Sequence, residues 1–122
     1  MYSQRTEEMS SYNIRMDDYW WQLIQDRLKT IEGRINRDHH NTVSPGDRFE
    51  ITNTSTGEIL SGYVSNVREY PSFEDMLTEE GIENVLPGVE SIQDGVDIYR
   101  SIPGYAKDEI DLGVVAIELD LD

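Results

Sequence analysis

The stretch Asp17-Asp18-Tyr19-Trp20-Trp21-Gln22-Leu23-Ile24-Gln25-Asp26-Arg27-Leu28-Lys29-Thr30-Ile31-Glu32-Gly33-Arg34-Ile35 changes its hydrophobic period part-way along. Trp20, Leu23, Ile24, Leu28 and Ile31 recur at spacings of three and four, the helical period, and Asp17 and Asp18 stand where a helix start is capped. From Thr30 the residues are β-branched and alternate, so Ile31 and Ile35 face one way and Glu32 and Arg34 the other. A helix running into a strand places Lys29 at the junction, with a charged pair on one strand face. Lys29, Glu32 and Arg34 are therefore candidate walls of a polar pocket.

Outward from this stretch, residues 1–11 are polar and without periodicity, which predicts a flexible tail ahead of a single domain over residues 12–122. Asn36 to Val43 read as a polar loop closed by the Pro45-Gly46 turn signal. Arg48 to Thr52 and Glu58 to Val67 predict a β-hairpin across Asn53 to Gly57, with Phe49, Ile51, Ile59, Tyr63 and Val67 in the core. Ser72 opens a capping-box-like Ser-Phe-Glu-Asp, and Gly81 is placed to end that helix. Ser91 opens another helix, with Ile92, Val96, Tyr99 and Ile102 on its apolar side and Gly95 weakening its interior. Val114 to Leu121 alternates at its end, a half-buried strand. These periods alone predict mixed α and β.

Composition sets independent bounds. A chain of 122 residues fits one domain, and without cysteine it has neither disulfides nor thiolate zinc sites. No apolar run approaches the ~18 residues of a membrane span and the polar N-terminus lacks a signal-peptide core, so no membrane partner and a cytoplasmic location are expected. The 25 Asp and Glu against 10 Lys and Arg give a formal charge of −15, and only Lys29 and Lys107 are lysines. Such a balance resembles proteins of salt-in halophiles, where ~1 M salt shortens the Debye length to about 3 Å and hides self-repulsion. An acidic domain of a mesophile or a virus is the alternative. Either way the chain lacks the overall basic surface of non-specific nucleic-acid binders, so any nucleic-acid contact is expected to be local and pocket-based.

Lys29-Thr30-Ile31-Glu32-Gly33-Arg34, then Ser44-Pro45-Gly46-Asp47 and Arg48-Phe49-Glu50-Ile51, resembles the signature of ASCH domains, members of the PUA-like superfamily. Val67 to Leu77, Leu86-Pro87-Gly88-Val89, Gly95 to Arg100 and Gly113 to Ile117 agree with it, so the likeness runs from about Tyr12 to about Leu119. One position departs: family members usually carry a glycine two residues before the lysine, where this chain has Arg27. The resemblance implies an α+β fold, a small β-barrel of about five or six strands decorated by about three helices. It also implies a pocket lined by Lys29, Glu32 and Arg34 that recognises RNA or a modified nucleoside, without a cofactor. A structural ion-pair cluster is the alternative reading of those three residues.

Some small ASCH proteins resemble amidohydrolases that deacetylate N(4)-acetylcytidine, and others are described as ribonucleases. In the amidohydrolase pattern a threonine follows the lysine by three residues, and here that position is Glu32. A hydrolase built on this chain would use Glu32 as general base on water and Lys29 to polarise the carbonyl, with Thr30 as the nearest hydroxyl nucleophile. Arg34 is expected to grip a phosphate or carbonyl. Among the aromatics Tyr63, Tyr70, Phe73, Tyr99 and Tyr105, most belong in the core, while Tyr70 before Pro71 and Tyr99 beside Arg100 are the candidates for a pocket mouth. His39-His40 beside Asp38 read as solvated loop, with no metal expected, because adjacent side chains on an extended loop diverge.

Overall fold

Ser11, Asn13 and Arg15 face solvent while Tyr12, Ile14 and Met16 are buried, a period of two that makes Ser11–Met16 strand β1. The computed structural model describes residues 11–122, so the expected tail lies outside the described residues except for Ser11, which is already in β1. Asp17 then caps α1 (Asp18–Gln25), its side chain accepting from Trp20 N at 3.2 Å. That helix is shorter than its apolar stripe predicts. It ends before Leu28, which is 58% exposed, and buries Trp21 and Ile24, with Trp21 Nε1 donating to Ile51 O at 2.9 Å.

β2 (Ile31–Ile35) and a short 3-10 turn (Asp38–Asn41) follow, then the expected hairpin of β3 (Arg48–Asn53) and β4 (Ile59–Tyr70). Next come α2 (Phe73–Glu80), α3 (Ile82–Val85), α4 (Ile92–Arg100), α5 (Tyr105–Leu112) and β5 (Val114–Leu121). Ser72 and Ser91 cap α2 and α4 through 3.1 Å bonds from Asp75 N and Asp94 N, and Gly81 ends α2 at φ +89°.

The described residues thus hold five helices where about three were expected. The additional ones are α3 and α5. α5 escapes a periodicity reading because its buried residue is a charge: Glu109 accepts from Phe73 N at 2.7 Å and from Arg100 Nε at 2.8 Å. A polar anchor, not an apolar stripe, docks this helix.

The strands form one sheet in the order β1-β3-β4-β5-β2, with β1 parallel to β3 and every other pair antiparallel. It is a half-barrel, not a closed barrel, since β1 and β2 are edges. The 3-10 turn that follows β2 reaches β1: Tyr12 Oη and His40 Nδ1 lie 2.7 Å apart, and His39 Nε2 is 3.1 Å from Asn13 O. Burial, followed by the nearby charge of Arg34 and by His39, pulls the His40 imidazole down to about 4, so it stays neutral at this join.

Both faces of the sheet are covered. Trp21 and Ile24 pack with Phe49, Ile51, Val115 and Ile117 on one side, while Phe73, Met76 and Val96 pack with Ile31, Ile35, Val114 and Ala116 on the other. Residues Val114 to Ile117 are therefore all buried, which makes the first half of β5 a fully covered central strand. β4 corrects another expectation. Ile59 and Tyr63 are 53% and 50% exposed, because the alternation turns Gly62 and Val64 inward, and a register shift between Val64 and Asn66 resets the phase. No helix among the described residues is long and apolar enough to cross a membrane.

Candidate functional site

β2 supplies the centre of the site. Its alternation turns Glu32 and Arg34 to the side opposite Ile31 and Ile35, and between them Gly33 leaves room for the helices behind. A Cβ at Gly33 would stand 2.7 Å from both Met76 Cε and Tyr99 Oη, so a side chain there would force the ends of those two side chains to move. The turn into β2 places Arg27 at φ +64°, the left-handed conformation that glycine adopts without strain. The sequence departure at Arg27 thus keeps the turn, at a cost of about 1 kcal/mol in backbone strain.

Lys29 is 2% exposed, and its ammonium donates to Ile31 O at 2.7 Å and Val85 O at 2.5 Å and meets Glu32 Oε1 at 3.2 Å. All three N–H groups are taken, so none is left in this arrangement for a substrate carbonyl. Burial pulls the ammonium below its usual value, opposed by the Glu32 charge. Glu32, 7% exposed, receives Arg34 Nε at 2.6 Å on Oε2. Burial by itself would push this carboxyl up, but the charges and hydrogen bonds of Arg34 and Lys29 outweigh it and hold it below the carboxylate range. A carboxylate so held is a weak proton acceptor.

Arg34 is the half-buried member. Besides Glu32 it donates through Nη2 to Arg15 O at 3.3 Å, across the gap between the sheet edges. Burial disfavours its charge, yet the Glu32 carboxylate beside it raises the guanidinium further, so it stays cationic. Of its five N–H donors, Nη1 and one N–H of Nη2 have no partner among the described residues.

These side chains line a cleft of ≈ 390 Å³, within the about 300–1,000 Å³ typical of small-ligand sites. Its other walls include Arg15, Trp20, Ile98, Tyr99, Ile102 and Tyr105. Tyr99 stacks on Phe73 at 4.1 Å between ring centres, with Tyr105 parallel to Phe73 at 5.9 Å, so the aromatic wall is pre-set by packing. Burial raises the Tyr99 hydroxyl well above its usual value.

Among the residues singled out from sequence, the fold brings Lys29, Glu32, Arg34 and Tyr99 together in this cleft. The others stand elsewhere. Thr30 precedes β2 and borders a smaller hollow with Ile24, Arg27 and Leu119, its carbonyl accepting from Leu119 N. Tyr70 donates its hydroxyl to Glu80 Oε2 at 2.5 Å, and Arg100 is held by Glu109. His39 and His40 join the sheet edges, and no group of three His, Cys, Asp or Glu arranged for a metal occurs among the described residues. Arg15 and Trp20 are the wall residues that sequence reasoning passed over. Arg15 sits on β1, whose alternation over residues 11–16 is the available signal, and Trp20 stands at the start of the helical apolar stripe, where its spacing marks it as core.

The model of the family described as "ASCH domain" matches residues 14–121. The chain belongs to the ASCH domain family. ASCH domains are members of the PUA-like superfamily. The ASCH fold of this chain is similar to the crystal structure of the hypothetical protein PH0355, with a TM-score of 0.83 and 38% identity over 92% of this chain and 99% of that one. It is likewise similar to the solution NMR structure of protein PF0455 from Pyrococcus furiosus, with a TM-score of 0.73 and 37% identity over 91% of this chain and 96% of that one. No curated protein matches the chain.

Proposed function

We propose that the cleft is a recognition pocket for a base or nucleoside, presented free or within RNA, and that it works by binding and not by turnover. ASCH domains are generally associated with RNA binding. The observation that carries the reading is Arg34: Glu32 fixes its Nε, the Arg15 carbonyl fixes Nη2, the remaining N–H groups have no partner among the described residues, and the side chain lines an aromatic-walled cleft. A guanidinium held at two points gives up little side-chain entropy when it grips an acceptor. Trp20 and Tyr105, both part-exposed, supply the flat apolar surface on which an unstacked base packs, with buried Tyr99 backing the wall.

Hydrolysis is the less favoured reading, because the same ion pairs that steady Arg34 occupy Lys29 and lower the basicity of Glu32. The test is titration of the protein with cytidine, N(4)-acetylcytidine and short single-stranded RNAs, together with assay of N(4)-acetylcytidine deacetylation. Arg34→Ala is expected to weaken binding by ~1.5–3 kcal/mol, the scale of a charge-assisted hydrogen bond, while the variant still melts cooperatively. Turnover of N(4)-acetylcytidine that disappears in Glu32→Gln would replace this reading with the amidohydrolase.

A further inference from the structure

Twenty-five acidic residues against ten basic ones make it easy for a cation in this chain to find a carboxylate, and among the described residues all but Arg15 and Arg27 do. Arg37 lies between Asp38 and Asp108, and Arg68 between Glu80 and Glu118. Arg48 pairs with Asp122, Arg100 with Glu109 and Lys107 with Asp111. Among the described residues one cluster is reversed: at the cleft, Lys29 and Arg34 share the single carboxylate of Glu32. It is also deeply buried, with side-chain exposures of 2% for Lys29 and 9% for Glu32, and 19% for Arg34 where it reaches the opening.

Uncompensated charge away from water is costly, and the molecule has an ample supply of carboxylates with which to cancel it. Arg15 adds a further cation to the wall and Asp17, which caps α1, a further carboxylate, so the excess of one positive charge at the cluster stands. The member of this cluster that reaches the opening, Arg34, is also the one that keeps N–H groups without a partner among the described residues.

We propose that the occupant of this cleft is anionic and places a phosphate group against Arg34, supplying the second negative charge that the Lys29–Glu32–Arg34 cluster lacks. The inference rests on the nucleoside reading above and narrows it from neutral nucleosides to phosphate-bearing ones. Two sources share that chemistry, the terminal phosphate of a nucleoside monophosphate and an internal phosphodiester of single-stranded RNA. The overall −15 charge repels polyanions at long range, so the attraction is confined to the cleft and engages only a ligand that fits it.

The experiment is calorimetric titration of the whole chain with adenosine, cytidine, their 5′-monophosphates, inorganic phosphate, and a short single-stranded RNA without terminal phosphates. A monophosphate or the RNA is expected to bind at least about tenfold more tightly than the nucleosides, as charge-assisted contacts to phosphate require. Arg34→Gln should erase that preference. Should this variant fail to melt cooperatively, the wild-type protein decides instead with the uncharged 5′-dimethyl phosphate ester of the same nucleoside, which must lose the preference that the charged monophosphate shows.

A preference for the monophosphate assigns the terminal source, and tight RNA binding without it assigns the internal one. Equal binding of nucleoside and monophosphate overturns the phosphate inference and leaves the nucleoside reading standing. Binding of inorganic phosphate with no gain from an attached nucleoside sustains the phosphate site and overturns the nucleoside reading. Silence from every probe overturns both.

Discussion

Two ion-pair clusters in this protein use the same residue types to opposite ends. At the edge of the sheet, Lys29, Glu32 and Arg34 bury two cations around one carboxylate. Across β4, α2 and β5, Arg68 sits between two carboxylates, Glu80 and Glu118, with 33% of its side chain and 41% of that of Glu118 exposed. The second cluster matches the acidic character of the chain: it buries Glu80, 5% exposed, but leaves Arg68 and Glu118 partly open to water. The first runs against that character and has the cleft as its outlet. Stoichiometry and burial, not residue identity, separate a site from a surface brace.

Removing the shared carboxylate is the strongest way to break the comparison. Glu32→Ala leaves Lys29 and Arg34 buried side by side, and should cost ~3–5 kcal/mol in urea unfolding. A loss below about 1 kcal/mol would place this cluster in the same class as exposed pairs.

The pH dependence sharpens it. Because the folded-state pKa of Glu32 is depressed, its contribution is fully present above the unfolded glutamate value of about 4.3 and is lost as pH falls through the folded value. The stability difference between the wild-type protein and Glu32→Gln should therefore be level at neutral pH and shrink below about pH 4. A difference that is already shrinking between about pH 7 and 5 would mean that the two cations do not hold the carboxyl down.

The smallest effect belongs to the outer cluster. Glu118→Ala should cost less than about 1 kcal/mol, because Arg68 keeps Glu80, and the cost should fade as KCl approaches ~1 M. Over the same series the wild-type melting temperature should climb, since a formal charge of −15 repels itself across a Debye length of about 30 Å at ~0.01 M and about 3 Å at ~1 M. A flat melting curve would remove the halophile reading.

Local signals decided much of the fold. Asp17, Ser72 and Ser91 cap helices where they stand, and the Arg48 to Val67 segment folds on itself, because caps and hairpins need only neighbours in the chain. The opposed faces of β2 were legible for the same reason, and they carried Glu32 and Arg34 to one side. The sequence by itself therefore determined the family, the strand that carries Glu32 and Arg34, and the surplus of acid.

Tertiary structure alone decided what surrounds that strand. β1 becomes an edge through parallel pairing with β3, more than thirty residues away, and its Arg15 carbonyl then orients Arg34. The carbonyl of Val85 accepts a hydrogen bond from Lys29 across 56 residues. α5 is docked by buried Glu109, and the phase of β4 is set by a register shift against β5. Tyr99 is held in the cleft by stacking on Phe73, whereas Tyr70 is drawn to Glu80. Each of these depends on a partner remote in sequence, and side-chain periodicity records which way a residue faces but not what stands opposite it.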